Sequence, residues 1–503
     1  MSVAFGIYLG CSSCCLAVIK DGRFEVVANA SGDRVTPAVV AYHDNEVVTG
    51  LAAKHGIIRH AASTIQHVLR VAGTTEDESP SLSATTCSPT WESGVPRYSV
   101  QKGDKSVVVL ADDVLSHIFV LLKEIADSHA TESELPVVIA LPAWNGEGTI
   151  SSVRKAAKKA GFTVVGTVAE PVAAVLAYGL LDDNKSNMQI VVLHGGGITV
   201  VGSLIEVAGG MLTLRESIAS SRAAGDTLTE VLVEHFAKEF YTKYKGDPLE
   251  NRRSRRKLYN AAENCKHVLS TMGTAQVYIE SLWEGVDFST TLSRARFDGL
   301  VSSSLMEFLS PAKEAVQRCG FTVEQIHKVI VTGGSAKIPR FQQLVRDAFP
   351  SAEFLCSLPS DEVLAAGASL EASLLLGRVS QSPVTSTMVP ALATTVFCKI
   401  IGNDSSECIF SRGTPTHSRH SLNLDLPTNA TPTCAFLIYE GEEETQFPKE
   451  DEILVQAELT NLTSESKSLK LDFHLKSDGS LHVSLSEPAS KINRIFVIEA
   501  GRS

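Results

Sequence analysis

Two stretches decide how this chain folds: Val3-Ala-Phe-Gly-Ile-Tyr-Leu-Gly-Cys-Ser-Ser13 and Gln189-Ile-Val-Val-Leu-His-Gly-Gly-Gly197. Each is an apolar run of strand length that reaches glycine and is followed by a second apolar run, Cys14–Ile19 in one case and Val200–Val207 in the other. Both read as glycine-containing β-hairpins, each opening a similar α/β half. A single hairpin of this kind would be no more than a tight turn. Two on matching elements predict a duplicated, two-lobed fold whose hairpins face each other across a cleft. Glycine there lets backbone N–H groups come close to a phosphate.

Outward from the hairpins, strand-like runs at Val137–Leu141 and Lys328–Thr332 alternate with helical patterns. The helices are expected at Asp112–Ser128, Glu147–Ala160, Glu170–Leu180, Gly225–Tyr244, Arg255–Leu269, Arg294–Cys319 and Asp361–Leu376. Such alternation predicts an α/β domain over residues 1–379. The Ser-, Thr- and Pro-containing stretch 380–390 reads as a polar linker. Short β-rich runs then predict a small all-β domain over 391–503. The stretch Thr74–Pro96, rich in Ser, Thr and Pro, is expected to be an irregular insertion.

The 503 residues carry 45 basic and 57 acidic side chains, a net charge of −12, and 44% are hydrophobic. That supports a large core and argues against wholesale disorder. The acidic balance argues against a general nucleic-acid binder, and no direct DNA contact is expected. Ten irregularly spaced cysteines fit a reducing, cytosolic compartment rather than a disulfide scaffold. The uncharged N-terminus lacks a basic flank and is broken by Gly10, so strands explain it better than a signal peptide. No run is long enough to span a membrane. Cys11-Ser-Ser-Cys14 has no second ligand pair for zinc and lies in a hairpin, which leaves it a structural role. The run Arg252–Lys257 could touch ribosomal RNA, but a solvated helix start is the simpler reading. There is no GxxxxGK[ST], HExxH or GxSxG.

A third glycine site, Val329-Ile-Val-Thr-Gly-Gly-Ser-Ala-Lys-Ile-Pro339, ends a buried strand and opens a helix, a geometry suited to an anion or a purine edge. This segment resembles the adenosine motif of the seventy-kilodalton heat-shock chaperone family. Ser281-Leu-Trp-Glu-Gly-Val-Asp-Phe288, Ser293-Arg-Ala-Arg-Phe297, Glu170-Pro-Val-Ala-Ala174 and Asp33-Arg-Val-Thr-Pro-Ala-Val-Val40 are similar to further motifs of that family. The resemblance covers most of Val3–Leu376. It implies an actin-like (ribonuclease H-like) nucleotide domain, followed by a β subdomain that binds peptide in the family.

Carried over residue by residue, the resemblance implies an ATP site. Glu263, Lys266 and Ser270 match the helix that grips ribose and adenine, and their spacing puts them on one helical face. His267 and Lys337 stand where the family has arginines, so the planar group that stacks on adenine is lost at Lys337. Gly333, Gly334 and Ser335 match. In the phosphate cradle Gly10, Ser12, Gly195, Gly196, Gly197 and Gly225 match, while Cys11 and Ala224 replace a Thr and a Gly.

Family members hold magnesium and the attacking water with carboxylates on the two hairpins and a lysine. Here Tyr8 takes the first hairpin's acid position. On alignment by the glycine run, Leu193 and Val200 take those of the second hairpin, and Ile198 replaces a Thr. Leu69 stands at the lysine position, or Arg70 if the register slips by one. Glu170 is the one catalytic candidate retained. Loss of one such group commonly costs on the order of 10²–10³ in rate, so little hydrolysis is expected and magnesium binding stays open.

The acidic, leucine-rich linker of the family is missing, and no helical lid or acidic C-terminal tetrapeptide is expected after the β unit. These features resemble the short, ribosome-associated branch of the family. The resemblance implies a cytosolic co-chaperone that pairs with a J-domain protein at the ribosome and stimulates a separate, active heat-shock chaperone on nascent chains. Three other readings are weighed. One is a working ATPase built on Glu170. Another is a nucleotide-free scaffold. The third is a small-molecule kinase of the actin-like superfamily, which lacks the general base it would need at the hairpins.

Overall fold

The fold is seen in a computed structural model that describes residues 3–20, 23–76, 87–103, 105–130, 134–180, 187–208, 211–376, 391–401, 406–416, 418–425, 433–441, 448–449, 452–460, 468–476, 479–487 and 492–499. The polar linker 380–390 lies outside them. The chain divides into two compact units, 1–386 and 387–503.

The first unit is built twice from one plan. Strand Ala4–Leu9 pairs antiparallel with Ser13–Lys20 and parallel with Pro136–Leu141, which pairs parallel with Thr163–Ala169. Strand Met188–Gly195 repeats this. It is antiparallel to Val200–Ala208 and parallel to Lys328–Thr332, which pairs parallel with Glu353–Leu355. The first lobe's sheet also takes in Arg23–Val26 and Val35–Pro37, and the second lobe's takes in Met211–Ser220. This is the actin-like duplicated α/β fold that the two hairpins implied.

Alternation along the strands assigns every side chain to a layer. Phe5, Ile7 and Leu9 enter the outer core of the first lobe, while Ala4 and Tyr8 enter a central layer. Val191 and Leu193 enter the core of the second lobe, whereas Ile190 and Val192 join the same central layer. Helices Glu170–Ala177 and Val363–Leu375 complete that layer, packed between the sheets. Small residues make this close packing possible. A Cβ at Gly6 would stand 2.1 Å from the Ser369 backbone nitrogen, and one at Gly367 would stand 1.8 Å from the Ala173 carbonyl oxygen.

Several motifs gain a physical cause. Trp283 pairs with Val286 across a two-residue turn in which Glu284 and Gly285 both have positive φ. The Asp287 carboxylate closes the hairpin by accepting from the Ser281 N–H at 2.7 Å and the Tyr278 hydroxyl at 2.9 Å. Arg294 donates to the carbonyls of Leu269 and Met272, covering the end of helix Arg252–Thr271.

Two sequence expectations fail locally. Arg294–Cys319 is three helices, Arg294–Leu300, Ser302–Glu307 and Ser310–Arg318; Pro311, at the first turn of the third, accounts for the second break. Within the expected irregular insertion, strands Pro89–Glu92 and Val95–Lys102 form a hairpin around Ser93-Gly94, both at positive φ. Residues 77–86 of that insertion lie outside those described.

Among its described residues the second unit is all β. One antiparallel sheet runs Glu407–Phe410, Thr395–Ile400, Thr433–Gly441, Ile453–Thr460, and the other Arg419–Asp425, Ser468–Leu475, Leu481–Glu487, Ile492–Ile498. Alternate residues such as Cys398, Phe436, Ile438, Leu471, Phe473 and Val483 form its core.

The helix crossing in the first unit yields a paired test. Gly367→Ala drives a methyl into backbone and should cost about 2 kcal/mol or more, lowering Tm by several degrees. Gly299→Ala, in helix Arg294–Leu300 with nothing near the added Cβ, should leave Tm unchanged or raise it. Equal melting of the two variants would contradict this packing.

Candidate functional site

Between the lobes lies a cavity of about 540 Å³. Every site residue expected from sequence lines it except Gly195. Gly195 sits just behind, where an added Cβ would stand 2.9 Å from Cβ of Ser335.

The hairpin tips form one end. Gly10 N–H donates to the Ser13 carbonyl at 3.0 Å, and Gly196 N–H donates to the Thr199 carbonyl at 2.9 Å, so the two turns are equivalent. A Cβ on Gly197 would stand 2.3 Å from Ser12 Oγ, so the tips meet with no room for a side chain. Ser12 Oγ is shut from solvent and has no hydrogen-bond partner among the described residues. A buried hydroxyl with no partner costs stability unless a ligand satisfies it, and glycine-lined turns beside it suit a polyanion.

Turn equivalence also corrects the sequence register. Tyr8 lies two residues before Gly10, and His194 lies two residues before Gly196. His194, not Leu193, is therefore the counterpart of Tyr8. Leu193 and Val200 are fully buried in the core of the second lobe, and Thr199 rather than Ile198 is the tip's hydroxyl residue lining the cavity. The glycine run Gly195–Gly197 permitted either register; the strand's period of two selects one.

Tyr8 and His194 touch. Their rings are edge-on with centroids 6.0 Å apart, Tyr8 Oη is 3.4 Å from His194 Nε2, and His194 Nδ1 is 2.9 Å from Thr332 Oγ1. Burial lowers the His194 pKa to about 4 and so keeps the ring neutral. Burial, reinforced by Glu170, raises the Tyr8 phenol well above its usual value. Glu170 itself is buried, with both carboxyl oxygens lacking a partner among the described residues, and burial pushes its pKa up to about 8. Cys11 is a free thiol pushed up to about 12 by burial, although Arg70 acts against the shift, so it is no nucleophile. Leu69 is buried in the first lobe's core, whereas Arg70 lies over Trp144 at 4.5 Å and within electrostatic reach of Cys11. Of the two residues weighed for the lysine position, Arg70 is the one whose charge reaches the cradle.

The other end is set by helix Arg252–Thr271, N-capped by Asn251. Lys266 Nζ, almost fully buried, donates to the Gly225 carbonyl at 2.8 Å, Thr229 Oγ1 at 2.7 Å and Glu263 Oε2 at 2.8 Å. Thr229 in turn donates to Glu263 at 2.6 Å, and His267 Nε2 lies 3.0 Å from Glu263 Oε1. Burial alone would raise the Glu263 carboxyl; Lys266 and His267 overcome it and hold the group well below the usual range. Ser270 Oγ donates to the Lys266 carbonyl at 3.1 Å. Lys337 is paired with Asp361 at 2.5 Å on the rim. Gly333 has φ 86°, and a Cβ there would stand 2.5 Å from the Gly195 carbonyl oxygen.

Sequence reasoning missed Thr229, His194, Thr199, Asp226 and Asp361. Thr229 is one helical turn past Gly225, a signal that helical spacing offered. The basic run also has a structural use. Arg256 donates to Gln66 of the opposite lobe at 3.2 Å, Arg255 pairs with Glu230, and Lys257 donates to the carbonyls of Glu280 and Ser281.

The family model described as Hsp70 protein matches residues 4–502. "Heat shock 70 kDa protein 14" of Mus musculus is 38% identical over 496 residues, covering 96% of this chain and 97% of that protein. The Homo sapiens protein of the same name is 36% identical over the same shares. "Heat shock 70 kDa protein 14-B" of Xenopus laevis is 35% identical across 99% of both chains. With the match running through both lobes and on through the β-rich unit, the chain belongs to the Hsp70 family.

Proposed function

We propose that this chain binds ATP between its lobes, hydrolyses it little or not at all, and serves as a co-chaperone in nascent-chain folding. In this reading it works in the cytosol with a J-domain partner at the ribosome and stimulates a separate, active chaperone. Members of the Hsp70 family bind adenine nucleotide, and the cleft keeps what such a ligand needs. Gly10, Cys11, Ser12, Gly196, Gly197 and Gly225 would face the phosphates. Glu263, Lys266, His267, Ser270, Gly333, Gly334, Ser335 and Lys337 would surround the nucleoside. The orphaned Ser12 hydroxyl and the glycine contacts that exclude any Cβ support that fit.

One observation carries the low-hydrolysis part: Tyr8 and His194 form a neutral contact where the family has acids. Water activation needs a base or an ion at that point. Glu170 is the remaining catalytic candidate, and with its pKa near 8 it is mostly protonated at neutral pH, so it supplies little negative charge to order an ion. The ribosome and the J-domain partner follow from the resemblance to the short branch of the family. Among the described residues no helix is long and apolar enough to cross a membrane.

A second reading, slow hydrolysis through Glu170, is favoured only by its two unpartnered oxygens beside the cradle. Single-turnover assays on purified protein with excess enzyme over labelled ATP separate the two. Turnover at least about 10²-fold slower than an active family member is expected. A comparable rate that Glu170→Ala abolishes would contradict the proposal. For the partner, ribosome co-sedimentation should require a J-domain protein, and sedimentation unaffected by any such protein would remove that part.

Glu170 also sets a pH dependence. Its folded pKa, about 8, lies above the ordinary 4.5, so between those values the unfolded chain has released a proton that the folded chain keeps. Its contribution to stability therefore falls as pH rises from about 4.5 to about 8, then levels off. Glu170→Gln should melt with the wild type near pH 5 and above it by several degrees at pH 8. A gap that does not widen with pH would show the carboxyl to be ordinary.

A further inference from the structure

Magnesium-class ions demand oxygen ligands carrying negative charge, in near-octahedral array. The phosphate end of this cleft offers a phenol and an imidazole instead. Across the two lobes the equivalent positions are Tyr8 and His194, and their side chains meet rather than leave a gap for an ion. Among the described residues no three of His, Cys, Asp and Glu are grouped to hold a metal. Two acids lie within electrostatic reach of the Cys11 turn. Glu170 has its pKa pushed up to about 8 by burial, which favours the neutral carboxyl, and Asp226 is engaged by Tyr259 and lies 3.7 Å from His67 Nε2. The residues present do not fit the cation that the family implies.

We propose that this cleft takes its nucleotide as the metal-free anion, and that Tyr8 is a phosphate-binding residue whose hydroxyl stands in for the missing cation. The inference rests on the reading that ATP binds here. Tyr8 Oη lies directly under the first turn, since a Cβ at Gly10 would stand 2.3 Å from it. The chain behind it supplies direction. With the imidazole proton on Nε2, Thr332 donates to His194 Nδ1, His194 donates to Tyr8, and the phenolic proton is left for a phosphate oxygen. A hydroxyl donating to an anion away from water belongs to the stronger class of hydrogen bonds. Arg70, on Trp144 and within electrostatic reach of the Cys11 turn, adds a positive charge on the first lobe's side, where Lys54 also lines the cavity.

The test is calorimetric titration of the full chain with ATP, once with excess magnesium and once with EDTA. The expected dissociation constants agree within about threefold. Tyr8→Phe should weaken binding in EDTA by about tenfold or more while melting like the wild type. Tyr8→Asp should bind poorly in EDTA and recover with magnesium. Wild-type binding that requires magnesium would overturn the inference and leave ATP binding intact. Tyr8→Phe binding as tightly as wild type would overturn the role of Tyr8. Absence of heat and of competition in both buffers would instead overturn ATP binding itself, and the inference with it.

Discussion

Where the two lobes come together, the phenol of Tyr8 meets the imidazole of His194, and the Thr332 hydroxyl lies against the far side of that ring. The two positions are equivalent in a duplicated fold, so whatever one lobe places there must tolerate its counterpart. Two carboxylates would repel and require a cation between them. A neutral donor–acceptor pair satisfies itself. In the proposed reading, the choice at this point separates a cleft that readies a phosphate for attack from one that only holds it.

The surrounding structure delivers those two side chains to each other. Strand alternation sends Phe5, Ile7 and Leu9 outward and Tyr8 inward, and it sends Leu193 outward and His194 inward. The helices between the sheets fix how far apart the lobes stand, through contacts at Gly6 and Gly367 that admit no side chain. At the opposite end of the cavity charge is retained, but it is balanced internally. Lys266 is buried because Glu263, Thr229 and the Gly225 carbonyl take up its three N–H donors. These contacts are all made within the chain. The sheets and helices are those of the Hsp70 family; in the proposed reading the nucleoside grip is kept and the ion-ordering end is not.

Much of this was legible in the chain. Paired glycine hairpins implied duplication, and the sheet registers show it. Gly225–Tyr244 and Lys328–Thr332 run between the residues that periodicity selected. The register of the second hairpin was not legible, because three successive glycines match a turn in two ways and only pairing across the sheet decides between them. Pro311 breaks a stretch whose long helical pattern reads as one helix. The Ser93-Gly94 hairpin hid in a stretch whose Ser and Pro content reads as loop. Partners from distant segments, such as Asp361 for Lys337, carry no local signal at all.

The protonation state of His194 bears most directly on the central claim. It can be read from the imidazole nitrogen and carbon resonances of labelled protein, assigned by comparison with His194→Gln. The expected result is a neutral ring from pH 8 down to about pH 5, given a pKa near 4, with resonances that shift when ATP is added. An imidazolium titrating near the ordinary value of about 6.5, or a ring indifferent to saturating ATP, would contradict a neutral Tyr8–His194 pair facing the nucleotide.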